Sequence, residues 1–194
     1  ADESWICSCG TVNKGKFCMN CGTRKPEKKM RYRCSKCGWE PADPENPPKF
    51  VVMEAGAAAC LYKGAVAGDG EPRIVGGDLQ TIMAGLACGE PNIIGWDILR
   101  NHVSAFVSCP DWVAAKGMRM LAAPVKGDPK VVSGESGAVG MGVISTIMQD
   151  DEYKELRDAL ELNRDSKVLM FSTEGDTDPD KYKKIVWGGE YPTV

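Results

Sequence analysis

Nine cysteines are the residues whose spacing most directly suggests chemistry, and six of them fall in three tight pairs within the first 37 positions. Cys7-Ser-Cys9-Gly and Cys18-Met-Asn-Cys21-Gly are short turns in which a glycine follows the second cysteine. Such a turn lets backbone amides curl round a sulfur, and two of them supply four thiolates, the donor set of a closed tetrahedral structural zinc site. So short a segment has little apolar core, so bound metal would provide most of its stability. A redox reading of the pairs lacks the βαβ context that such chemistry uses. Cys34-Ser-Lys-Cys37 is a third pair, followed by Gly-Trp-Glu-Pro and a Pro-rich turn to Lys49-Phe50. Cys34 and Cys37 are candidate metal ligands as well. Cys60, Cys88 and Cys109 lie in apolar settings and read as buried thiols.

A second group of chemistry-bearing residues lies in two stretches that combine hydroxyls, glycines and acids. Val168-Leu-Met-Phe171 reads as a short buried strand that ends in Ser172-Thr173-Glu174-Gly-Asp176-Thr-Asp178. Val131-Val132 similarly ends in Ser133-Gly-Glu135-Ser-Gly137, which opens a helix running to Met148. Strands of a parallel sheet deliver such ends to one edge, where open α/β folds hold ligands. Gly134, Gly137 and Gly140 give a G-x-x-G-x-x-G spacing, a weak anion-binding signal distinct from a dinucleotide fingerprint.

The elements that must position these groups alternate. Phe50–Glu54 and Ala105–Ser108 read as strands. Helices are expected from Ala55 through Tyr62, over Asp78–Ala87 with Asp78 as cap, over Asn92–His102 with Ile94, Ile98 and Val103 on one side, from Asp111, over Glu152–Leu162 and over Lys181–Trp187. The pattern predicts an α/β fold with a mainly parallel sheet and flanking helices, preceded by a small zinc ribbon. The expected divisions are a zinc ribbon over 1–29, an incomplete rubredoxin-like knuckle and linker over 30–50, and an α/β domain over 51–194. The break after Phe50 reads as a seam between two unrelated pieces, as in a chimera.

Charge follows the same division. Residues 1–50 carry ten Lys/Arg against six Asp/Glu, and the remainder 14 against 21, which together give −3. The basic run Arg24–Arg33, with Trp5, Phe17, Tyr32 and Trp39 nearby, reads as a solvated face rather than a nucleic-acid surface. No apolar run reaches the length of a membrane span, and the first residues have no signal-peptide character, so the expected location is the cytoplasm. His102, the only histidine, reads as a surface or packing residue.

Several passages carry a resemblance. Gly76-Gly-Asp-Leu-Gln-Thr-Ile-Met-Ala-Gly-Leu-Ala-Cys-Gly-Glu-Pro91, Ala105-Phe-Val-Ser-Cys-Pro-Asp-Trp-Val-Ala-Ala115, Ser133-Gly-Glu-Ser-Gly-Ala-Val139 and Ile185-Val-Trp-Gly-Gly-Glu-Tyr-Pro192 resemble the C-terminal half of the diaminopropionate ammonia-lyases. These are pyridoxal-phosphate (PLP) enzymes of the tryptophan-synthase-β fold, and the likeness runs from about Val51 to Pro192. Residues 5–26 resemble a four-cysteine zinc ribbon, and 32–50 half of a rubredoxin-like ribbon, in which a second cysteine pair would follow Lys49-Phe50. Val51-Val52 stand there, so the resemblance implies a half-built site at Cys34 and Cys37. The lyase resemblance implies PLP as cofactor and an amino-acid substrate, 2,3-diaminopropionate, converted to pyruvate and ammonia. It implies that Ser172 or Thr173 meets the pyridine nitrogen and that Glu135 faces the cofactor ring. A hydroxyl partner leaves that nitrogen neutral, a modest electron sink. The Schiff-base lysine, the catalytic carboxylates and the phosphate loop of that family find no match in this sequence; Lys63, Lys116, Lys126, Lys130 and Lys167 fit no cofactor motif. The sequence therefore implies no catalysis by this stretch alone. It also implies a protein partner or self-association, because half of such a fold leaves sheet edges and apolar faces uncovered. The alternative is a non-enzymatic interaction module built on the zinc ribbon.

Overall fold

The computed structural model describes residues 4–7, 9–14, 19–21, 38, 40 and 46–193. The chain divides into two compact units, Ala1–Pro48 and Lys49–Val194. Cys18, Cys34 and Cys37 lie outside the described residues.

In the first unit, β1 (Trp5–Ile6) and β2 (Val12–Asn13) pair antiparallel, with Ile6 opposite Val12. Gly10 turns the chain between them at φ +83, a left-handed conformation that favours glycine.

In the second unit, β3 (Val51–Ala55) and β4 (Ala105–Cys109) form a parallel pair, from Val51 opposite Ala105 to Ala55 opposite Cys109. Parallel strands need a long crossover. Here it carries α1 (Cys60–Ala67) and α2 (Ile93–His102). α2 begins at Asn92, whose side chain accepts from Gly95 N at 2.8 Å, and closes with Arg100 and His102 in its last turn. Trp96 is its inward residue: Nε1 donates to Gly70 O at 2.8 Å, and the ring lies where a Cβ on Gly64 would stand. The side bearing Ile94 and Ile98 faces solvent.

The core centres on α3 (Asp111–Ala122) and α4 (Glu135–Gln149). Their backbones touch. A Cβ on Gly117 would fall 2.1 Å from Ala138 O, and one on Gly142 1.9 Å from Val113 O. Around this contact are buried Met83, Ala114, Met118, Ala138, Val143, Ile147 and Ile185. α5 (Lys154–Ala159) and α6 (Pro179–Val186) complete the unit. Asp178 caps α6 by accepting from Lys181 N at 3.0 Å, and Pro179 takes the first helical position. Among the described residues, no helix is long and apolar enough to cross a membrane.

Several expected elements differ. Val168–Phe171 is not a strand: it carries no ladder pairing, and Leu169 and Phe171 are each 78% exposed. Val131-Val132 is likewise outside any strand. Asp78–Ala87 is not an α-helix. Gly77 at φ +118 and Leu79 at φ +50 break the path, Asp78 accepts only a turn bond from Gln80 N, and one 3-10 turn forms over Ala84–Leu86. The Glu152–Leu162 helix is reduced to a 3-10 turn over Asp151–Tyr153 followed by α5.

Candidate functional site

The N-terminus of α4 lacks a side-chain cap of its own, since its cap residue is Gly134. The orphan amides there must find acceptors. Glu174 supplies them from a distant part of the chain: its Oε1 accepts from Ser136 N at 2.5 Å and Gly137 N at 3.3 Å. Its backbone carbonyl accepts from Gly134 N at 3.1 Å. A carboxylate at this end also meets the positive pole of the helix. Segment 172–174 is thereby fastened to the start of α4.

The same junction brings two hydroxyls together. Ser133 is fully buried, and its Oγ lies 2.8 Å from Ser172 Oγ. Ser172 is exposed and also donates to Glu174 O at 3.3 Å. Gly137 leaves the room: a Cβ there would sit 2.7 Å from Ser133 Oγ and 3.1 Å from Ser172 Oγ. A Cβ on Gly134 would reach 2.5 Å from Gly175 O, and one on Gly140 2.9 Å from Met170 Sδ. The G-x-x-G-x-x-G spacing is thus a close-packing face for 170–175.

Glu135 occupies the first turn of α4 with its carboxylate mostly buried, and Lys181 Nζ stands 3.5 Å from its Oε1. The same ammonium lies 3.5 Å from Ile82 O. Thr173 is exposed beside Ser172. The three sequence-predicted residues Glu135, Ser172 and Thr173 therefore belong to one junction, though no strand carries any of them. Ser133 and Glu174 stand in the two stretches that the sequence marked but had no role assigned to them there, and Lys181 is a neighbour that the sequence did not mark as a site residue. Lys116 has a packing role: Nζ donates to Thr146 Oγ1 at 3.2 Å and Gln149 Oε1 at 3.4 Å.

A second buried carboxylate works at α1. Glu54 ends β3 and accepts from Leu61 N at 2.9 Å and Tyr62 N at 2.6 Å, capping the helix. Cys60 Sγ lies 3.6 Å from Glu54 Oε1 and 3.4 Å from Cys88 O. Burial and the adjacent Glu54 charge push the Cys60 thiol up to about 11, and the same causes raise Cys109 to about 12. Neither is a thiolate at neutral pH, so both are inert packing groups. Cys88 differs from expectation: it is exposed, with its thiol on Glu90 O at 3.3 Å.

In the first unit, Cys7, Cys9 and Cys21 place their sulfurs within 4.8 Å of one another, with Cys7 and Cys21 at 3.5 Å. Cys7 N donates to Thr11 O at 3.0 Å, and Gly10 N donates to Cys7 O at 2.8 Å. Buried Asn13 joins the two cysteine turns, its Nδ2 on Thr11 O at 2.8 Å and its Oδ1 accepting from Met19 N at 2.9 Å. Zinc–sulfur bonds of about 2.3 Å in a tetrahedron put sulfurs roughly 3.8 Å apart. The cluster has the dimensions of such a site and can hold a metal.

Comparison with known proteins agrees with the second unit's architecture. No family model matches the chain. Its structural neighbours are fold-type II PLP enzymes, and its own α/β character, with a parallel strand pair and helices, matches that class. Three quarters of the chain is homologous to diaminopropionate ammonia-lyase. The Salmonella typhimurium enzyme is 53% identical over 146 residues, covering 75% of this chain and 36% of that protein. The Escherichia coli K12 enzyme is 50% identical over 141 residues, 73% of this chain and 35% of that protein. The E. coli lyase solved with an aminoacrylate-PLP azomethine reaction intermediate superposes with a TM-score of 0.65 at 48% identity, covering 73% of this chain and 35% of that one. The same enzyme solved with D-serine gives 0.68 at 45%, covering 75% and 35%. The chain spans about a third of the length of the curated relatives it matches.

Proposed function

We propose that the second unit is the ring-nitrogen side of a PLP-dependent ammonia-lyase site acting on 2,3-diaminopropionate. The observation that carries this reading is the exposed Ser172 hydroxyl, held on a buried partner at the start of α4, in a chain three quarters of which is homologous to enzymes of that activity. The residues fit the group. Ser172, with Thr173 beside it, offers a hydroxyl to a neutral pyridine nitrogen, and Glu135, fixed by Lys181, offers a charged group beside the ring. When bound, PLP supplies the electron sink for eliminating the β-amino group of the substrate. The chain's own contribution is to orient and tune the ring. The lysine that holds the cofactor and the loop that holds its phosphate belong to polypeptide outside this matched third, so this stretch by itself does not turn over substrate. The unpaired run with exposed Val168, Leu169 and Phe171 supports association with such polypeptide or with a second copy. The test is a pyruvate assay with diaminopropionate and PLP, on the chain alone and mixed with the unmatched portion of the Salmonella relative. Activity restricted to the mixture supports the reading; none in either, with the two associated, overturns it.

The first unit is proposed to be a structural zinc ribbon held by Cys7, Cys9, Cys18 and Cys21. A second reading, a non-enzymatic interaction module, is favoured by the apolar Ile6, Val12 and Met19 on its surface, Met19 being 91% exposed. A ribbon that captures one protein stoichiometrically while the second unit binds no PLP would favour that reading.

A further inference from the structure

We propose that Ser133 is a positioning residue: its buried hydroxyl donates to Ser172 Oγ and so leaves the Ser172 proton for an acceptor atom of the ligand. This rests on the cofactor reading, in which that atom is the pyridine nitrogen.

A serine hydroxyl has one proton to give and two lone pairs to accept with. Between the two oxygens, 2.8 Å apart, only one proton can lie. The alternatives to that bond are longer. Ser133 has Gly134 O at 3.4 Å, and Ser172 has Glu174 O at 3.3 Å. Both exceed the usual range for O–H···O bonds. If Ser172 gave its proton inward, the exposed face of its oxygen would only accept. With Ser133 as the donor, the Ser172 proton rests on the weak Glu174 carbonyl contact, and an acceptor arriving at ordinary hydrogen-bond distance displaces it. Accepting one bond also makes Ser172 a stronger donor in the next.

The surroundings serve this geometry. Ser133 has no exposure to solvent, so no water competes for its proton. Segment 172–174 cannot drift, because Glu174 is bonded to α4 through its carboxylate and its carbonyl. Gly137 holds open the space between the two hydroxyls.

Two measurements test the inference. In the full chain without ligand, NMR couplings of Ser172 should show one fixed χ1 rotamer, and averaging in Ser133→Ala, a variant that strands no buried partner because Ser172 is exposed. Pyridoxamine 5′-phosphate labelled with 15N in the ring, which needs no lysine, added to the chain mixed with the unmatched portion of the Salmonella relative, should show a neutral, hydrogen-bonded nitrogen. Ser133→Ala should move that signal and weaken binding about two- to tenfold. A Ser172 rotamer that is averaged in the wild type, or unchanged in Ser133→Ala, overturns the role of Ser133 whether or not the ligand binds. A fixed rotamer lost in Ser133→Ala, with no binding by the wild type, supports the positioning role and overturns the pyridine reading instead.

Discussion

Glu174 Oε1 accepts from Ser136 N at 2.5 Å, across 38 residues of sequence. This one bond caps α4 and fixes the segment bearing Ser172 and Thr173, so it links the stability of the unit to the geometry of its candidate site. Glu174→Ala should cost about 1–2 kcal/mol, the usual penalty for losing a cap, while Glu174→Gln should recover much of it. Chemical denaturation of the three proteins checks this. Equal stability in all three would mean that the cap carries no load.

The α3–α4 contact gives a sharper test of packing. Gly142→Ala would place a methyl 1.9 Å from the Val113 carbonyl oxygen, and backbone of two packed helices must separate to admit it. We expect a loss of about 2–4 kcal/mol. Gly76→Ala, which meets nothing within 4 Å, should stay within about 0.5 kcal/mol of the parent. Thermal unfolding of both variants decides the point.

Glu54 is the buried group with most to lose. Its carboxylate satisfies the amides of Leu61 and Tyr62, and Glu54→Ala would leave both unpaired at α1. A loss of about 2–4 kcal/mol is expected, since buried unsatisfied amides cost about 1–3 kcal/mol each. Amide hydrogen exchange should localise the damage to residues 60–67.

The buried thiols set an alkaline limit. Cys60 and Cys109 are raised to about 11 and about 12 from an ordinary value of 9.0. The unfolded chain therefore loses these protons before the folded one does. Their contribution is complete below about pH 9 and falls as pH rises towards 11, where each unit of separation corresponds to about 1.4 kcal/mol. Denaturation midpoints between pH 8 and 11 should fall, and Cys109→Ala should flatten the decline.

The first unit should unfold with metal removal. One zinc per chain is expected, and chelation should abolish the β1–β2 pairing while sparing the second unit. Cys7→Ser should do the same, and Asn13→Ala should weaken zinc by loosening the second cysteine turn from β2. Metal analysis with circular dichroism follows both; a fold indifferent to chelator contradicts the zinc reading.

Much of this was legible in the residues. β3, β4, α3 and α4 could be placed from apolar period and small-residue runs, and the cysteine spacing marked a cluster of which three members sit together. Val168–Phe171 misled because a strand needs a neighbour as well as a pattern, and local sequence does not specify whether one is present. Asp78–Ala87 misled because its helical spacing conceals left-handed backbone at Gly77 and Leu79. Ser133 was marked only as one hydroxyl of the stretch 133–137, with nothing to give it a role of its own. Its importance comes from lying opposite Ser172, a long-range contact. Glu174 read as one acid in a turn, though a helix start capped only by Gly134 was a clue that an outside acceptor was needed.

The central claim, that the junction of 133–137 with 172–174 receives a pyridine cofactor, is tested most directly by amide chemical-shift mapping. Pyridoxamine 5′-phosphate suits the titration because it lacks the aldehyde that would label surface lysines. With the unmatched portion of the Salmonella relative added to supply the phosphate loop, the account expects saturable shifts centred on Glu135, Ser136, Gly137 and 172–175, lost in Ser172→Ala. Saturable shifts elsewhere, or none at this junction, would contradict it.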